Sequence, residues 1–446
     1  MNKASVTPMR KTGNKRWFIA VLLLVGGLIN YLDRASLSIA APAMMDDLKL
    51  TNTDIGLMGS VFSLVYAFTQ LPAGWLADKF GSKKIYSLSV GTWSIATMLT
   101  GLCSSVTSLL VARGLLGLTE APGWPTSAKI TAAWFPKKER ALATAVWDSS
   151  SRWGLAFAPP ILVLLLVSFG WRELFFIVGG IGLVFVAFFL VIYKQPEQDR
   201  KLSESELRLI TAENEADIST KETRVSWGGL FKYKTMWGMV FGWFCYIWLF
   251  NIFLNFLPLY LMKTQHITLA SLGIYSGIPW IGGIVGAYVG GYVSKKMSDR
   301  PGELASLNAK RIVIVISAVI TGCATVAIPF AGSLMSTLWV TTVAMFALSS
   351  LSANCWAVPG DVSPPGMVGS VGSIQNFGGF FAGALSPLVT GYIADITGSY
   401  NLAFISGGII AACTGVCYWL LVRKPISALN SSSSISLSTP NHQQAK

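Results

Sequence analysis

The chain has 446 residues, of which 52% are hydrophobic and only 12% are charged. Soluble domains carry roughly a quarter charged residues, so this composition argues against a soluble enzyme and indicates a chain whose main solvent is lipid. The net charge of +13 would indicate nucleic-acid binding in a soluble protein, but in a membrane protein it first reports topology.

Apolar runs bounded by charged or turn residues predict an all-α protein with twelve membrane-spanning helices. The first run resembles a cleaved signal peptide, because basic residues precede it and small residues follow it. Asp33 and Arg34 interrupt that run and further spans follow, so we interpret it as an uncleaved helix. The predicted spans lie near 17–40, 55–77, 85–104, 108–131, 141–168, 172–193, 236–261, 268–293, 311–331, 337–359, 367–393 and 400–422.

A long charged segment divides the twelve predicted spans into two sets of six. We predict an N-terminal half at 1–193, a cytoplasmic central loop at 194–235, a C-terminal half at 236–424 and a disordered cytoplasmic tail at 425–446. When alternate loops are assigned to the cytoplasm, 27 of the 34 Lys and Arg residues lie there. This asymmetry follows the positive-inside rule, so both termini are predicted to be cytoplasmic and nucleic-acid binding is not needed to explain the charge. The opposite side carries Lys49, Arg172 and Lys263.

Charged residues inside predicted spans are the strongest functional signal, since each costs at least ~2.5 kcal/mol near the bilayer centre. Arg113 and Glu120 are two helical turns apart, roughly 10 Å, which is too far for direct pairing. A water-filled cavity lined by the first, fourth and fifth spans accommodates these charges. The alternative is that they pair with one another and fix helix packing. The residues concerned are Asp33, Arg34, Arg113, Glu120, Asp148 and Arg152.

The second half has polar and aromatic spans without a clear mid-span charge. Asn251 and Asn255 share a helix face, either as amide contacts between helices or as hydrogen-bond partners for a polyol. Trp356, Gln375 and Asn376 lie in later spans. A cavity with charges on one side and amides and aromatic rings on the other suits a small, hydroxylated anion.

The loop after the second span carries a recognisable motif. Its glycines allow close approach and a tight turn, Asp78 can meet a helix N-terminus or a basic residue, and the last two lysines face the cytoplasm, as a gate requires. The stretch closely resembles the signature of the major facilitator superfamily, which implies two six-helix halves. It reads Gly74-Trp75-Leu76-Ala77-Asp78-Lys79-Phe80-Gly81-Ser82-Lys83-Lys84.

Three further stretches resemble the anion:cation symporter family of that superfamily, and bacterial transporters of galactonate, glucarate and hexuronates in particular. They are Tyr31 to Ala40, Glu120-Ala121-Pro122-Gly123-Trp124-Pro125, and Ala133-Trp134-Phe135-Pro136 with Glu139-Arg140. The resemblance implies uptake of a sugar acid with protons.

The resemblance also implies roles for individual residues. Arg34 and Tyr31 meet the substrate, Asp33 and Glu120 form the proton-titrating pair, and Arg113 is their partner. Substrate roles follow for Tyr66, Trp356 and Asn376, and we add Gln375. The chain departs from galactonate-type members at Arg152, where those members are polar and uncharged. Arg152 selects a diacid or a differently placed carboxylate, or it pairs with Asp148, one turn away.

The expected function is therefore proton-coupled import of an aldonate, aldarate or hexuronate across the inner membrane of a bacterium. We expect a monomer that uses the proton gradient and no cofactor or metal. A transporter of another carboxylate, an aromatic acid or a dicarboxylate, is the main alternative, because Trp356 and Arg152 could serve it. An organic-phosphate antiporter is less favoured, since the seventh span has no basic residue before Lys263. A sensor or membrane enzyme would need a domain or nucleophile that the short soluble segments do not provide.

Overall fold

The computed structural model describes residues 14–199, 202–203, 205–207, 210, 227–298, 304–364 and 367–426, without the side chains of residues 71, 74, 78, 137, 138, 141, 227 and 369. Of the predicted tail at 425–446, residues 427–446 lie outside this described part. The described helices are α1 Lys15–Leu48, α2 Asn52–Phe80, α3 Ser82–Gly101, α4 Val106–Glu120, α5 Gly123–Trp134, α6 Lys137–Asp148, α7 Ser150–Phe169, α8 Trp171–Ile192, α9 Trp227–Leu230, α10 Lys234–Gln265, α11 Leu269–Ser298, α12 Ala305–Ala327, α13 Leu334–Val362, α14 Val368–Thr397 and α15 Asn401–Leu420.

Nine helical stretches in the described ranges are long and apolar enough to cross a membrane. A helix satisfies its backbone hydrogen bonds internally, which is why apolar runs of this length become helical in lipid. The other three predicted spans are also helical, as α2, α3 and the pair α4 and α5. Each predicted span therefore coincides with helix, and the count of twelve crossings stays a prediction.

Two of the predicted spans are interrupted. The fourth breaks between α4 and α5, where Pro122 lacks the backbone N–H that would continue the helical ladder. The fifth breaks at Ser149, between α6 and α7. Glu120 and Asp148 are the last residues before these two breaks, so two of the predicted intramembrane acids lie at helix ends.

The helices pack in two groups, α1–α8 and α10–α15. In the first group the main packing pairs are α3 with α8, α1 with α7 and α2 with α4; in the second they are α11 with α13, α12 with α15 and α10 with α14. The main pairs that join the groups are α2 with α14, α7 with α11 and α1 with α10. A space between the groups is therefore bounded by α1, α2 and α7 on one side and by α10, α11 and α14 on the other.

The groups approach most closely at the end where α1 finishes and α2 begins, here named the closed end. Gly56 of α2 lies against the backbone of Pro387 in α14, with no room for a side chain. A Cβ atom on Gly277 of α11 would lie 2.8 Å from the carbonyl oxygen of Ala156 in α7. Glycine at these crossings permits a helix separation that other residues would prevent.

At the opposite end, part of the central segment docks on the first group. Arg16 donates from Nε to Glu139 at 2.7 Å and from Nη1 to Glu206 at 3.1 Å. Lys15 pairs with Asp199. The start of the segment between the two groups is thereby attached to the first of them.

Candidate functional site

A central cavity lies between the two groups of helices. Its volume is about 720 Å³, a size typical of small-molecule sites. Helices α1, α2 and α4–α7 form one wall, and α10, α11, α13 and α14 form the other. The predicted site residues that the structure brings to the cavity are Tyr31, Arg34, Tyr66, Arg113, Asp148, Arg152, Trp356 and Asn376.

Arg34 is held in the first wall by one carboxylate and three aromatic rings. Its Nε and Nη2 groups both lie 2.9 Å from Oε2 of Glu120. Its guanidinium carbon is 5.4 Å from the ring centroid of Tyr31, 5.2 Å from that of Phe62 and 5.0 Å from that of Tyr66. Because these groups fix the guanidinium, an anion that enters the cavity meets a cation already in position.

Asp33 and Glu120 lie behind Arg34. Each residue is 1% exposed, and neither lines the cavity. Successive residues leave a helix about 100° apart, so Asp33 points away from the cavity side of α1. Its polar neighbours are Thr97 of α3 and the charged groups of Glu120, Arg113 and Arg34. The two acids of the predicted proton pair are thus near each other and next to Arg34.

Arg113 is a buried cation between these acids and the cavity. It is 3% exposed, and its guanidinium carbon lies 5.8 Å from the ring centroid of Phe175. Its charged neighbours are Asp33 and Glu120. Within the described part of the chain its Nε and Nη2 groups make no hydrogen bond. Arg113 therefore faces two acids without bonding to either through these two nitrogens.

Asp148 and Arg152 form a loose pair at the cavity surface. Nη1 of Arg152 lies 3.6 Å from Oδ2 of Asp148, and the two side chains are 25% and 47% exposed, respectively. This separation is longer than a normal hydrogen bond. Both charges consequently remain accessible to a solute in the cavity.

The second wall presents indole rings and amides. Trp243 donates from Nε1 to Oδ1 of Asn376 at 3.3 Å, and its ring centroid is 5.1 Å from that of Trp356. Asn251 and Asn255 also line the cavity. Nδ2 of Asn255 donates to the carbonyl oxygen of Asn251 at 2.9 Å, and Nδ2 of Asn251 donates to its own helix. Among the described lining residues, this wall has no charged side chain.

The structure does not bring Gln375 to the cavity. Its side chain is fully buried, and Nε2 donates to the carbonyl oxygen of Cys355 at 3.3 Å. Successive residues leave a helix about 100° apart, so Gln375 and Asn376 point in different directions. Because Asn376 of α14 faces the cavity, Gln375 faces α13 instead.

Phe62 and Trp243 are among the cavity residues that were missed from the sequence. Phe62 lies one turn before Tyr66 on α2, and an aromatic pair at this spacing was the available signal. Trp243 lies three residues before Tyr246 on α10, and the two ring centroids are 4.5 Å apart. Helical spacing of aromatic residues is as typical of an apolar core as of a binding wall, so it did not distinguish these two positions.

The predicted gating motif lies at the far end of α2 from the closed end. The side chain of Asp78 and the surroundings of Gly74 lie outside the residues that the structure describes. Gly81 has φ of 88°, a left-handed conformation that favours glycine and lets α3 follow α2 directly. Lys83 and Lys84 occupy the first turn of α3.

At the closed end, Asp395 of α14 binds the first turn of α2. Its carboxylate accepts the backbone N–H of Asn52 at 3.0 Å and that of Thr53 at 2.7 Å, together with the Asn52 amide and the Thr53 hydroxyl. Lys263 and Tyr400 donate to Oδ1 of Asn52 at 3.1 and 2.5 Å. A carboxylate is favourable at a helix N-terminus. These bonds join the two groups of helices and close this end of the cavity.

Comparison with known proteins identifies the class. A model of the Major Facilitator Superfamily matches residues 23–305, and the chain belongs to this family. The crystal structure of a bacterial homologue of the human lysosomal transporter Spinster, inward-facing and unoccupied, has a TM-score of 0.72 at 20% identity and covers 91% of this chain and 95% of that chain. This likeness shows the same fold.

Two curated relatives cover nearly the whole chain. A probable L-galactonate transporter of Escherichia coli K12 is 32% identical over 91% of this chain and 89% of its own length. A probable galactarate/D-glucarate transporter of Bacillus subtilis 168 is 32% identical over 94% of each. The chain is thus a multi-pass membrane transporter homologous to sugar-acid transporters and not an enzyme, and the predicted family resemblance is confirmed.

Proposed function

We propose that this transporter imports a sugar-acid anion, an aldonate, aldarate or hexuronate, together with protons. The proposal rests on the difference between the two walls of the cavity. One wall holds a fixed guanidinium beside buried carboxylates, and the other presents amides and indole rings. A guanidinium binds a carboxylate by charge-assisted hydrogen bonds, and amides suit hydroxyl groups. The names of the two curated relatives support the same class of substrate.

Coupling follows from the partners of Arg34. In this structure Nε of Arg34 donates a hydrogen bond to Glu120, and Nη2 of Arg34 lies within ion-pair distance of the same carboxylate oxygen. A substrate carboxylate that binds Arg34 brings a second negative charge next to Glu120, which is costly where water is excluded. Protonation of Glu120 removes that repulsion and frees Arg34. Proton binding and anion binding therefore favour each other.

Alternating access needs two halves that move relative to each other around this site. We propose the boundaries 1–193 and 236–424 for these halves. Lys49 and Lys263 lie at the closed end, and the positive-inside pattern assigns that end to the outside. The state described above is then open toward the cytoplasm, with the Asp395 contacts closing the outside.

Uptake by vesicles that contain the purified transporter tests the function. We expect accumulation of at least one radiolabelled galactonate, glucarate or hexuronate under an inward proton gradient, with or without sodium. A protonophore should abolish this accumulation. Sodium-dependent uptake that resists a protonophore would contradict the proposal.

Replacing Asp33 separates coupling from binding. Asp33→Asn keeps the size of the side chain but cannot take up and release a proton. We expect loss of accumulation against a gradient, while exchange of internal for external substrate continues. Accumulation by this variant at the wild-type level would rule out the coupling role of Asp33.

A second candidate is a transporter of a dianion without hydroxyl groups. The partly exposed Arg152 favours it, because a second guanidinium in the cavity can bind a second acidic group. Competition of a simple dicarboxylate with sugar acids for uptake distinguishes the two: stronger inhibition by the dicarboxylate would favour the second candidate.

A further inference from the structure

Two arginine side chains meet at the C-terminal end of α15, and both lie outside the residues that line the cavity. Arg311 of α12 donates from Nη2 to the carbonyl oxygen of Trp419 at 2.7 Å, and Arg423 donates from Nε to the same oxygen at 3.2 Å. Arg311 also donates from Nε to the carbonyl oxygen of Tyr418 and from Nη1 to Oδ1 of Asn308. The two guanidinium groups therefore converge on one backbone oxygen.

This arginine pair has no acidic partner in the described part of the chain. The carboxylates that form ion pairs there have other partners. The charged neighbour of Arg311 is Arg423, which has the same sign. Arg311 is only 8% exposed, and a buried charge without a counter-charge is costly. An anion between the two guanidinium groups would offset their repulsion.

Both guanidinium groups keep N–H donors for such an anion. A guanidinium has five N–H groups in a planar fork. The hydrogen bonds within the described residues use three of the five in Arg311 and one of the five in Arg423. The remaining N–H groups are on the Nη atoms. Such groups bind the oxygens of a phosphate in bidentate fashion.

The arginine pair lies at the level of the lipid headgroups. Helix α15 has 20 residues and is about 30 Å long by the usual helical rise, which matches the hydrocarbon thickness of a bilayer. Its last turn is therefore at a membrane interface. Trp419 lies in that turn with its side chain exposed, and its ring centroid is 5.1 Å from the guanidinium carbon of Arg311. Tryptophan is enriched at this level of membrane proteins.

Apolar side chains continue from the arginine pair toward the membrane centre. Val416 lies one turn before Trp419 on α15, and Val319 lies two turns after Arg311 on α12; both valines are exposed. Helices α12 and α15 pack closely against each other. An apolar surface on two adjacent helices therefore begins where the two guanidinium groups meet.

We propose that Arg311 and Arg423 bind the phosphate of an anionic phospholipid, whose acyl chains lie along the exposed faces of α12 and α15. Basic pockets between membrane-spanning helices are typical sites for anionic headgroups. A free phosphate ion offers the same charge but no chains, so the apolar surface beside the arginines favours the lipid. This site is separate from the substrate cavity and does not depend on which anion is transported.

Thermal unfolding of the purified full-length transporter in detergent tests this site, because a ligand that binds the folded state raises the midpoint of unfolding. The probes are dioleoyl phosphatidylglycerol, which is anionic, dioleoyl phosphatidylcholine, which has a phosphate but no net charge, and inorganic phosphate. We expect phosphatidylglycerol to raise the midpoint at concentrations where the other two have little effect. An equal rise with inorganic phosphate would overturn the lipid assignment, and an equal rise with phosphatidylcholine would overturn selection of an anion.

Arg423→Gln removes one charge of the pair and leaves the hydrogen bonds of Arg311 in place. We expect about fivefold weaker apparent affinity for phosphatidylglycerol, the contribution of one basic residue near an anionic headgroup. Lys296→Gln is the matched control, because it removes the same charge from an exposed position in the last turn of α11, at the same end of the molecule. This control should keep the wild-type affinity. Equal weakening in both variants would mean that the lipid responds to total charge and not to the arginine pair.

A second measurement decides the matter if Arg423→Gln does not fold. It is a high-resolution experimental structure of the wild type in nanodiscs of phosphatidylglycerol. A lipid phosphate bound between the guanidinium groups of Arg311 and Arg423 would support the site. Guanidinium groups without a lipid headgroup in this membrane would overturn it.

Discussion

The two walls of the cavity are built from chemically different residues. The wall from α1, α2 and α4–α7 contains Arg34, Arg113, Asp148 and Arg152, with two further acids buried behind it. The wall from α10, α11, α13 and α14 has no charge among its described lining residues, and it presents indole rings and carboxamides. The two groups of helices therefore contribute different chemistry to one site.

Because the walls differ in charge, proton coupling and recognition of substrate hydroxyl groups can reside in different walls. A charge buried in a membrane protein is costly unless it has a function or a partner. Concentrating these charges in one wall lets a proton and an anion act on each other at short range. The other wall can vary its hydrogen-bonding groups without altering this coupling. Separate variants can change the charged wall, the uncharged wall and the contact between the two groups of helices.

Arg34→Lys should have the largest effect. Lysine keeps the positive charge but loses the planar fork that binds a carboxylate. A loss of about 3 kcal/mol, the upper range for a charge-assisted hydrogen bond, corresponds to about 100-fold weaker substrate binding. Isothermal titration of the purified protein with the transported sugar acid measures this loss.

The matched control is Arg152→Lys in the same wall. The Arg152 side chain is partly exposed and only loosely paired with Asp148. Its replacement should therefore weaken substrate binding less than tenfold. If Arg152→Lys has the greater effect, the principal anion site is at Arg152 and the assignment to Arg34 is wrong.

How far the sequence predicts this arrangement depends on the kind of interaction. The charged positions Asp33, Arg34 and Glu120 could be found because lipid makes any charge conspicuous. Because Asp33 and Arg34 are adjacent in a helix, the sequence also predicts that their side chains point about 100° apart. The bond between Arg34 and Glu120 joins two helices, and no single-helix spacing predicts it. Asp395 was not singled out, because it lies near a helix end where charges are ordinary.

Asp395→Asn should weaken the contact between the groups and have an intermediate effect. The amide keeps one acceptor but loses the charge that favours the N-terminus of α2. A cost of about 1 kcal/mol shifts the balance about fivefold away from the state that is closed at this end. Spin labels at the exposed Asp46 of α1 and at Ile396 of α14, in a background without native cysteines, measure the separation of the two groups at this end.

Asp54→Asn is the control for this change. Asp54 also lies in the first turn of α2, but it accepts the backbone N–H of Thr51 within the same group. Its replacement removes the same charge without touching α14. Equal separation in both variants would mean that the Asp395 bonds do not hold this end closed.

Asn376→Ala should have the smallest effect, since it removes one neutral group from the uncharged wall. The amide accepts from Trp243 and faces the cavity, and at the lower end of the range a neutral hydrogen bond contributes about 0.5 kcal/mol, or about twofold in KM. The loss should be seen with the hydroxylated substrate and not with an analogue that lacks the contacted hydroxyl group. Gln375→Met, next to it on α14 but facing α13, should change thermal stability and leave this selectivity unaltered. Because the charged wall remains intact, proton-driven accumulation should persist in both variants; loss of coupling in Asn376→Ala would contradict the division of roles between the walls.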